Sequence, residues 1–209
     1  MKKGLKEVIF ILDRSGSMQG LETDTIGGYN SMLDEHKFGD GEVVLSLVLF
    51  DDRFQVIHHR QDIKSVPPLT KKEYFVRGST ALYDAIGRSI QKINQVQNRL
   101  PEEERSEKIV FVIITDGYEN ASREYNRAEI QRLITRHKQL FGWEFLFLGA
   151  NIDADEVAED LGIDAHKAAN YHSDAKGTRK NFKVMSEMIH EVRTHNAFCS
   201  DLKQRIENE

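Results

Sequence analysis

The chain has 209 residues and carries a formal net charge of −5, from 29 basic and 34 acidic side chains. Charges of both signs are interspersed without a long basic stripe, so no nucleic-acid footprint is read from them. The single cysteine, Cys199, excludes an internal disulfide and fits a reducing compartment. The hydrophobic fraction of 39% is modest, but it falls in short runs that can build a core, which excludes a disordered chain.

In chain order, Met1-Lys2-Lys3 precedes an apolar run over 8–12 that ends at Asp13. That run is too short for a signal peptide. No stretch approaches the roughly 20 apolar residues of a membrane span. The expectation is a soluble cytoplasmic protein with no membrane contact. Residues 8–12 read instead as a buried parallel strand, because a strand covered on both faces needs no polar side. Asp13-Arg14-Ser15-Gly16-Ser17-Met18 forms the turn that follows, and a helix is expected over 23–37. Residues 43–50 form a second strand. The turn Asp51-Asp52-Arg53 leads into 54–58 as a hairpin and an antiparallel edge strand. Pro67-Pro68 marks a non-helical connection.

Arg77-Gly78-Ser79-Thr80 then leads into a helix whose Leu82, Ile86, Ile90, Ile93 and Val96 share one face. Residues 98–108 read as a solvated surface connection. A strand over 109–114 runs into Thr115-Asp116-Gly117. Ile130, Leu133, Ile134 and Phe141 mark the next helix, followed by a strand over 144–148. A helix over 154–161, capped by Asp153, leads to a short strand over 168–171. Phe182, Met185, Ile189 and Val192 mark a last amphipathic helix. Strands alternating with helices imply right-handed crossovers. The expected fold is α/β and doubly wound: a mostly parallel sheet with one antiparallel edge strand and helices on both faces. One domain is expected over 1–209, with a core at about 7–193 and a helical tail over 194–209.

Ligands of such sheets bind beyond the carboxyl ends of the strands, where strand order reverses. Asp13, Ser15 and Ser17 put one carboxylate and two hydroxyls there, with Gly16 permitting the turn. These are hard oxygen donors, suited to Mg²⁺, Mn²⁺ or Ca²⁺ rather than Zn²⁺ or Cu²⁺. A capped polar turn is the alternative reading of those three residues. Asp116 adds a carboxylate at another strand end, and Thr80 adds a hydroxyl before a helix. Singly these read as a turn residue and an N-cap. Together, in this order, the five point to a cation site.

On these residues the sequence resembles a von Willebrand factor type A domain with a metal-ion-dependent adhesion site. The resemblance runs over about 7–193 and extends to bacterial stand-alone cytoplasmic proteins of that type. That family's pattern is Asp-x-Ser-x-Ser, then a Thr, then an Asp, and here these positions are Asp13, Ser15, Ser17, Thr80 and Asp116. The resemblance implies that the three hydroxyls ligate a divalent cation, Mg²⁺ first with Mn²⁺ or Ca²⁺ as alternatives. Asp13 and Asp116 act directly or through water. It implies a metal-dependent protein-binding module whose cation captures an Asp or Glu of a protein partner. It also implies a last helix that shifts on binding.

A metal-dependent hydrolase or phosphatase, with the same cation activating water, is the alternative function. It lacks an evident general acid or base, since Glu119 is the nearest further carboxylate and no histidine accompanies the motifs. Asp51, Asp52, Glu119, Asn120, Asn151 and Asp153 are expected on the same edge. Asp51 and Asp52 read first as hairpin-turn residues, and Arg14 and Tyr118 as surface residues or partner contacts. The eight histidines match no zinc pattern and read as exposed. Met18, Met32, Met185 and Met188 read as packing residues.

Overall fold

Strand β1 (Lys2–Asp13) is buried from Leu5 to its end. This is what an apolar run flanked by two parallel neighbours requires. The computed structural model describes residues 1–195 and 201–207; Cys199 lies outside the described residues. After β1 come α1 (Glu22–His36), β2 (Glu42–Phe50), β3 (Phe54–Asp62), α2 (Leu82–Arg99) and β4 (Ser106–Thr115). The chain continues through α3 (Arg127–Phe141), β5 (Glu144–Gly149), α4 (Ala154–Asp160), β6 (Ala168–Asn170), α5 (Ala175–His195) and α6 (Leu202–Glu207).

The sheet order is β3-β2-β1-β4-β5-β6. All pairs are parallel except β2 with β3, which is antiparallel. The order runs outward in both directions from β1 and β4, so the switch point lies between their carboxyl ends. The expected architecture is therefore the observed one. Alternate residues of β1 serve the two faces, as the strand period of two demands. Val8, Phe10 and Leu12 pack in one core with Met32, Leu33, Phe182 and Met185 of α1 and α5. Ile9 and Ile11 pack in the other with residues of α2, α3 and α4. Leu202 and Ile206 of α6 join the first core. Met18, Met32, Met185 and Met188 are all buried. Among the described residues no helix is long and apolar enough to cross a membrane.

Three sequence readings need correction. β1 and β3 are longer than 8–12 and 54–58, because their polar ends pair along the ladder where apolar patterning gives no signal. Residues 98–108 are only partly a surface connection: α2 runs to Arg99, and β4 begins at Ser106. The cause is a buried carboxylate. Glu7 is fully buried and accepts from Gln97 Nε2 and Ser106 Oγ, both at 2.6 Å, with Arg60 at 3.2 Å. Those bonds draw Ser106 into the sheet, because a buried carboxylate without donors is costly.

Third, the histidines are not all exposed. His36, His58 and His137 are buried. His36 Nε2 lies 3.0 Å from the Ser186 carbonyl, and His137 Nδ1 lies 2.7 Å from that of Leu133. Both sit on the inward faces of their helices, and burial lowers their pKa values.

Ile11 is fully buried at the centre of the sheet. Ile11→Ala is expected to destabilise the fold by about 2–5 kcal/mol through lost burial and a residual cavity. Urea unfolding checks this, with a lowered midpoint at unchanged slope.

Candidate metal centre

β1 ends in Asp13, and β4, its parallel neighbour in register Leu12↔Ile114, ends in Thr115. The two meet through a hydrogen bond of 2.6 Å from Thr115 Oγ1 to Asp13 Oδ2. The other carboxylate oxygen of Asp13 accepts from the Ser15 backbone N–H, also at 2.6 Å. That bond turns the chain sharply after the strand and aims the two serines at the edge of the sheet. The Tyr74 hydroxyl, itself buried, donates to the Asp13 carbonyl at 2.7 Å from beneath.

Three hydroxyls converge above this turn. Ser15 Oγ lies 3.0 Å from Ser17 Oγ, and Thr80 Oγ1 donates to Ser15 Oγ at 3.0 Å. Thr80 does not cap α2, whose N-cap is Ala81. It is held by Asn120 on both sides. The Thr80 N–H donates to Asn120 Oδ1 at 2.9 Å, and the Thr80 carbonyl accepts from the Asn120 N–H at 3.0 Å. The Gly16 N–H donates to the Gly78 carbonyl at 3.1 Å, which locks the 13–18 turn onto the 77–80 loop.

Asp116 follows β4 and is 1% exposed. Its Oδ2 accepts from Ser173 Oγ at 3.4 Å, while its Oδ1 is buried without a hydrogen-bond partner. A side chain at Gly117 would enter this space, with its Cβ 3.1 Å from Ser17 Oγ and 3.4 Å from Thr80 Oγ1. The structure thus brings Asp13, Ser15, Ser17, Thr80 and Asp116 to one edge. An unpartnered buried carboxylate oxygen and three hard hydroxyl oxygens are the donor set that a small divalent cation takes. The residues fit such an ion.

Burial raises the pKa of Asp13 to about 6, over the opposition of hydrogen bonds from Thr115 and Ser15. Burial raises that of Asp116 as well. Two desolvated carboxylates side by side are unfavourable in the protein alone, and a cation would relieve both.

Several neighbours differ from their sequence readings. Arg14 is neither surface filler nor a partner contact but is fully buried. Its Nε donates to Asp51 Oδ2 at 2.8 Å, and Arg77 Nε donates to the same oxygen at 2.7 Å. Asp51 is likewise buried, and its Oδ1 accepts from the Arg53 N–H of the hairpin turn at 2.7 Å. It is thus both a turn residue and the centre of an ion cluster.

Glu119 accepts from the Tyr83, Ala121 and Ser122 N–H groups and from Ser122 Oγ at 2.7–3.0 Å, anchoring its loop to the start of α2. Asp153 caps α4, as its position implied, at 3.0 Å from the Glu156 N–H. Tyr118 is exposed, and its hydroxyl accepts from the Asp153 N–H at 3.2 Å. Asn151 adopts φ 55° and lines, with His172 and Lys176, a cavity of about 450 Å³ beside Ser173.

Sequence reasoning missed Thr115, Tyr74 and Ser173, and it read Asn120 as an edge residue shaping partner specificity rather than as the clamp on Thr80. Thr115 had a signal, since a hydroxyl at a strand end faces the neighbouring strand's end. The other three act across loops, and local pattern carries nothing about them.

No family model and no curated protein sequence matches the chain. Solved structures do. One is the proximal thread matrix protein 1 of the mussel byssus, with a zinc-occupied MIDAS motif. It matches at TM-score 0.60 and 18% identity, over 89% of this chain and 46% of that one. Others are a von Willebrand factor type A structure from Catenulispora acidiphila (TM-score 0.54, 14% identity, 88% of this chain, 42% of that one) and the manganese-loaded TRAP protein of Plasmodium vivax (0.55, 14%, 87%, 74%). The chain spans about half the length of the mussel structure. At these identities the likeness is one of fold.

A pH dependence follows from Asp13. The group titrates at 3.8 as a free side chain and at about 6 in the fold. Between those values the folded state holds the extra proton. The raised pKa therefore contributes stability that is complete below 3.8 and lost as pH rises through about 6. Asp13→Asn is expected to stabilise the metal-free protein at pH 7.5 by about 1–3 kcal/mol, at about 1.4 kcal/mol per pKa unit. It should also flatten the decline between pH 4 and 7. Chemical denaturation in EDTA across that range measures both.

Proposed function

We propose that this chain, which has the von Willebrand factor type A fold, is a metal-dependent protein-binding module. A divalent cation held by Asp13, Ser15, Ser17, Thr80 and Asp116 would capture a carboxylate of a partner. The observation that carries this reading is the buried, unpartnered Oδ1 of Asp116 beside three converging hydroxyls. Such an orphaned oxygen in a polar cradle is costly unless a cation completes it. Neighbours of the same fold support a divalent ion here: one has a zinc-occupied MIDAS motif and another is manganese-loaded. The hard oxygen donors of this chain favour Mg²⁺, then Mn²⁺ or Ca²⁺.

What the residues supply is orientation and charge balance. The Thr115 and Ser15 bonds hold the Asp13 carboxylate in one rotamer. The Asn120 clamp holds Thr80 at a fixed height above Ser15. Two carboxylates and three neutral hydroxyls neutralise a divalent ion and no more, so it retains affinity for an anionic ligand. The partner is therefore read as a protein segment presenting Asp or Glu.

Binding is favoured over hydrolysis by the neighbourhood. Glu119, the nearest further carboxylate in sequence, has both oxygens engaged by loop donors. His36, His58 and His137 are buried within the helical and sheet packing. We place the protein in the cytoplasm and read residues 1–209 as one domain.

Mg²⁺ or Mn²⁺ is expected to raise the melting temperature by several degrees, and Asp116→Ala to abolish that shift while leaving a cooperative transition. Partner capture from lysate is expected to require the cation and to vanish in EDTA or in Asp13→Ala. Undiminished capture in EDTA contradicts the reading. Phosphatase or esterase turnover with Mg²⁺ or Mn²⁺ that disappears in Asp13→Ala would replace it with the hydrolase alternative.

A further inference from the structure

Beside the five-residue cradle lies a charge cluster that the cation site does not use. Arg14 and Arg77 share one carboxylate oxygen of Asp51, at 2.8 and 2.7 Å. Two guanidiniums thus converge on one carboxylate oxygen. Arg14 Nη2 is buried with no hydrogen-bond partner among the described residues, while its Nη1 donates to the Glu73 carbonyl at 3.0 Å. The ring of Phe75 stands against both arginines, with each guanidinium carbon 5.3 Å from its centroid.

The two arginines differ in access. Arg14 is fully buried, whereas the Arg77 side chain is 32% exposed and Phe75 is 42% exposed. Asp51 fixes Nε of Arg77, and Phe75 backs its guanidinium. That leaves the outer edge of the fork presented to solvent in one orientation. Such pre-organisation is what lets an arginine recognise a carboxylate at low entropic cost.

Backbone hydrogen bonds tie the loop that carries this fork to the turn of the cradle. The Arg77 N–H donates to the Arg14 carbonyl at 3.0 Å, and Gly78, the next residue, binds Gly16. The Asp52 carboxylate lies against Gly78.

We propose that Arg77, backed by Phe75 and fixed by Asp51, is a second acid-recognition point, so that the partner segment is a diacid. One carboxylate of that segment goes to the cation, and a second, a few residues away, goes to the Arg77 fork. This rests on the metal-dependent capture proposed above and adds its specificity. A charge-assisted contact to a pre-oriented guanidinium, closed within one bound peptide, is worth about a tenfold gain in affinity.

The test uses fluorescein-labelled glycine-rich peptides bearing either one Asp or an Asp followed by a Glu one to four residues later. Each is titrated with the full chain in Mg²⁺, and binding is read by anisotropy or by NMR shift changes. The expected result is that the best-spaced diacid binds about tenfold more tightly than the monoacid. Arg77→Gln is expected to bring that ratio to within twofold of one, and Arg77→Lys to an intermediate value, because lysine keeps the charge without the fork. Phe75→Ala, at an exposed position, is expected to lower the ratio without a folding defect, which separates recognition from stability.

A wild-type ratio near one, with metal-dependent monoacid binding intact, overturns the diacid proposal alone. A tenfold ratio that persists in Arg77→Gln also overturns it. Failure of every peptide to bind in Mg²⁺ overturns the capture reading and this proposal with it.

Discussion

The parallel pairing of β1 with β4 is the constraint on which the carboxyl edge depends. These strands are distant in sequence, with β2, β3 and α2 between them, yet they are neighbours in the sheet. Their crossovers leave on opposite faces, so no connection covers the gap between their ends. The Thr115-to-Asp13 hydrogen bond closes the base of that gap. Asp13 and Asp116 come to the same edge because the two strands end in register. If β4 slipped by one residue, its side chains would exchange faces and Asp116 would leave the cradle.

Burial of charge is only partly compensated at this edge. Burial lifts the pKa of Asp13 to about 6 and raises that of Asp116. Only some of the surrounding donors are spent on the carboxylates. Asp13 takes two hydrogen bonds, from Ser15 and Thr115, whereas the Oδ1 of Asp116 takes none. Glu7, buried at the opposite end of β1, has its Oε2 engaged by Gln97 and Ser106, while its Oε1 has the Arg60 guanidinium at 3.2 Å as an ion-pair partner.

The flank of the cradle follows a related logic. Asp51 accepts from two arginines and a turn N–H, which holds the β2–β3 hairpin against the loop carrying Thr80. The Ala81 N–H also donates to the Asp51 carbonyl, at 2.9 Å. A single buried acid therefore sets the position of the hydroxyl loop and the orientation of Arg77. Loops without regular secondary structure become rigid when their backbone and charged groups are tied in this way.

Much of this was legible in the sequence. Buried parallel strands are continuous apolar runs, so four of them and the polar residues at their ends could be read directly. The spacing of Asp13, Ser15 and Ser17 on one turn, with Thr80 and Asp116 at later element ends, marked the cradle because each lies at a junction that topology sends to one edge. Tertiary structure alone decided what surrounds it. Arg14 read as a surface residue because a charged side chain beside a turn is usually solvated; the approach of Asp51 and of the Glu73 carbonyl, 37 and 59 residues away, makes its burial tolerable. Tyr74, Asn120 and Ser173 act across sequence separations of 61, 40 and 57 residues. Local periodicity reports which face a residue occupies and where an element stops. It carries no information about which distant loop will lie against that end, and the partners of a buried polar group are chosen there.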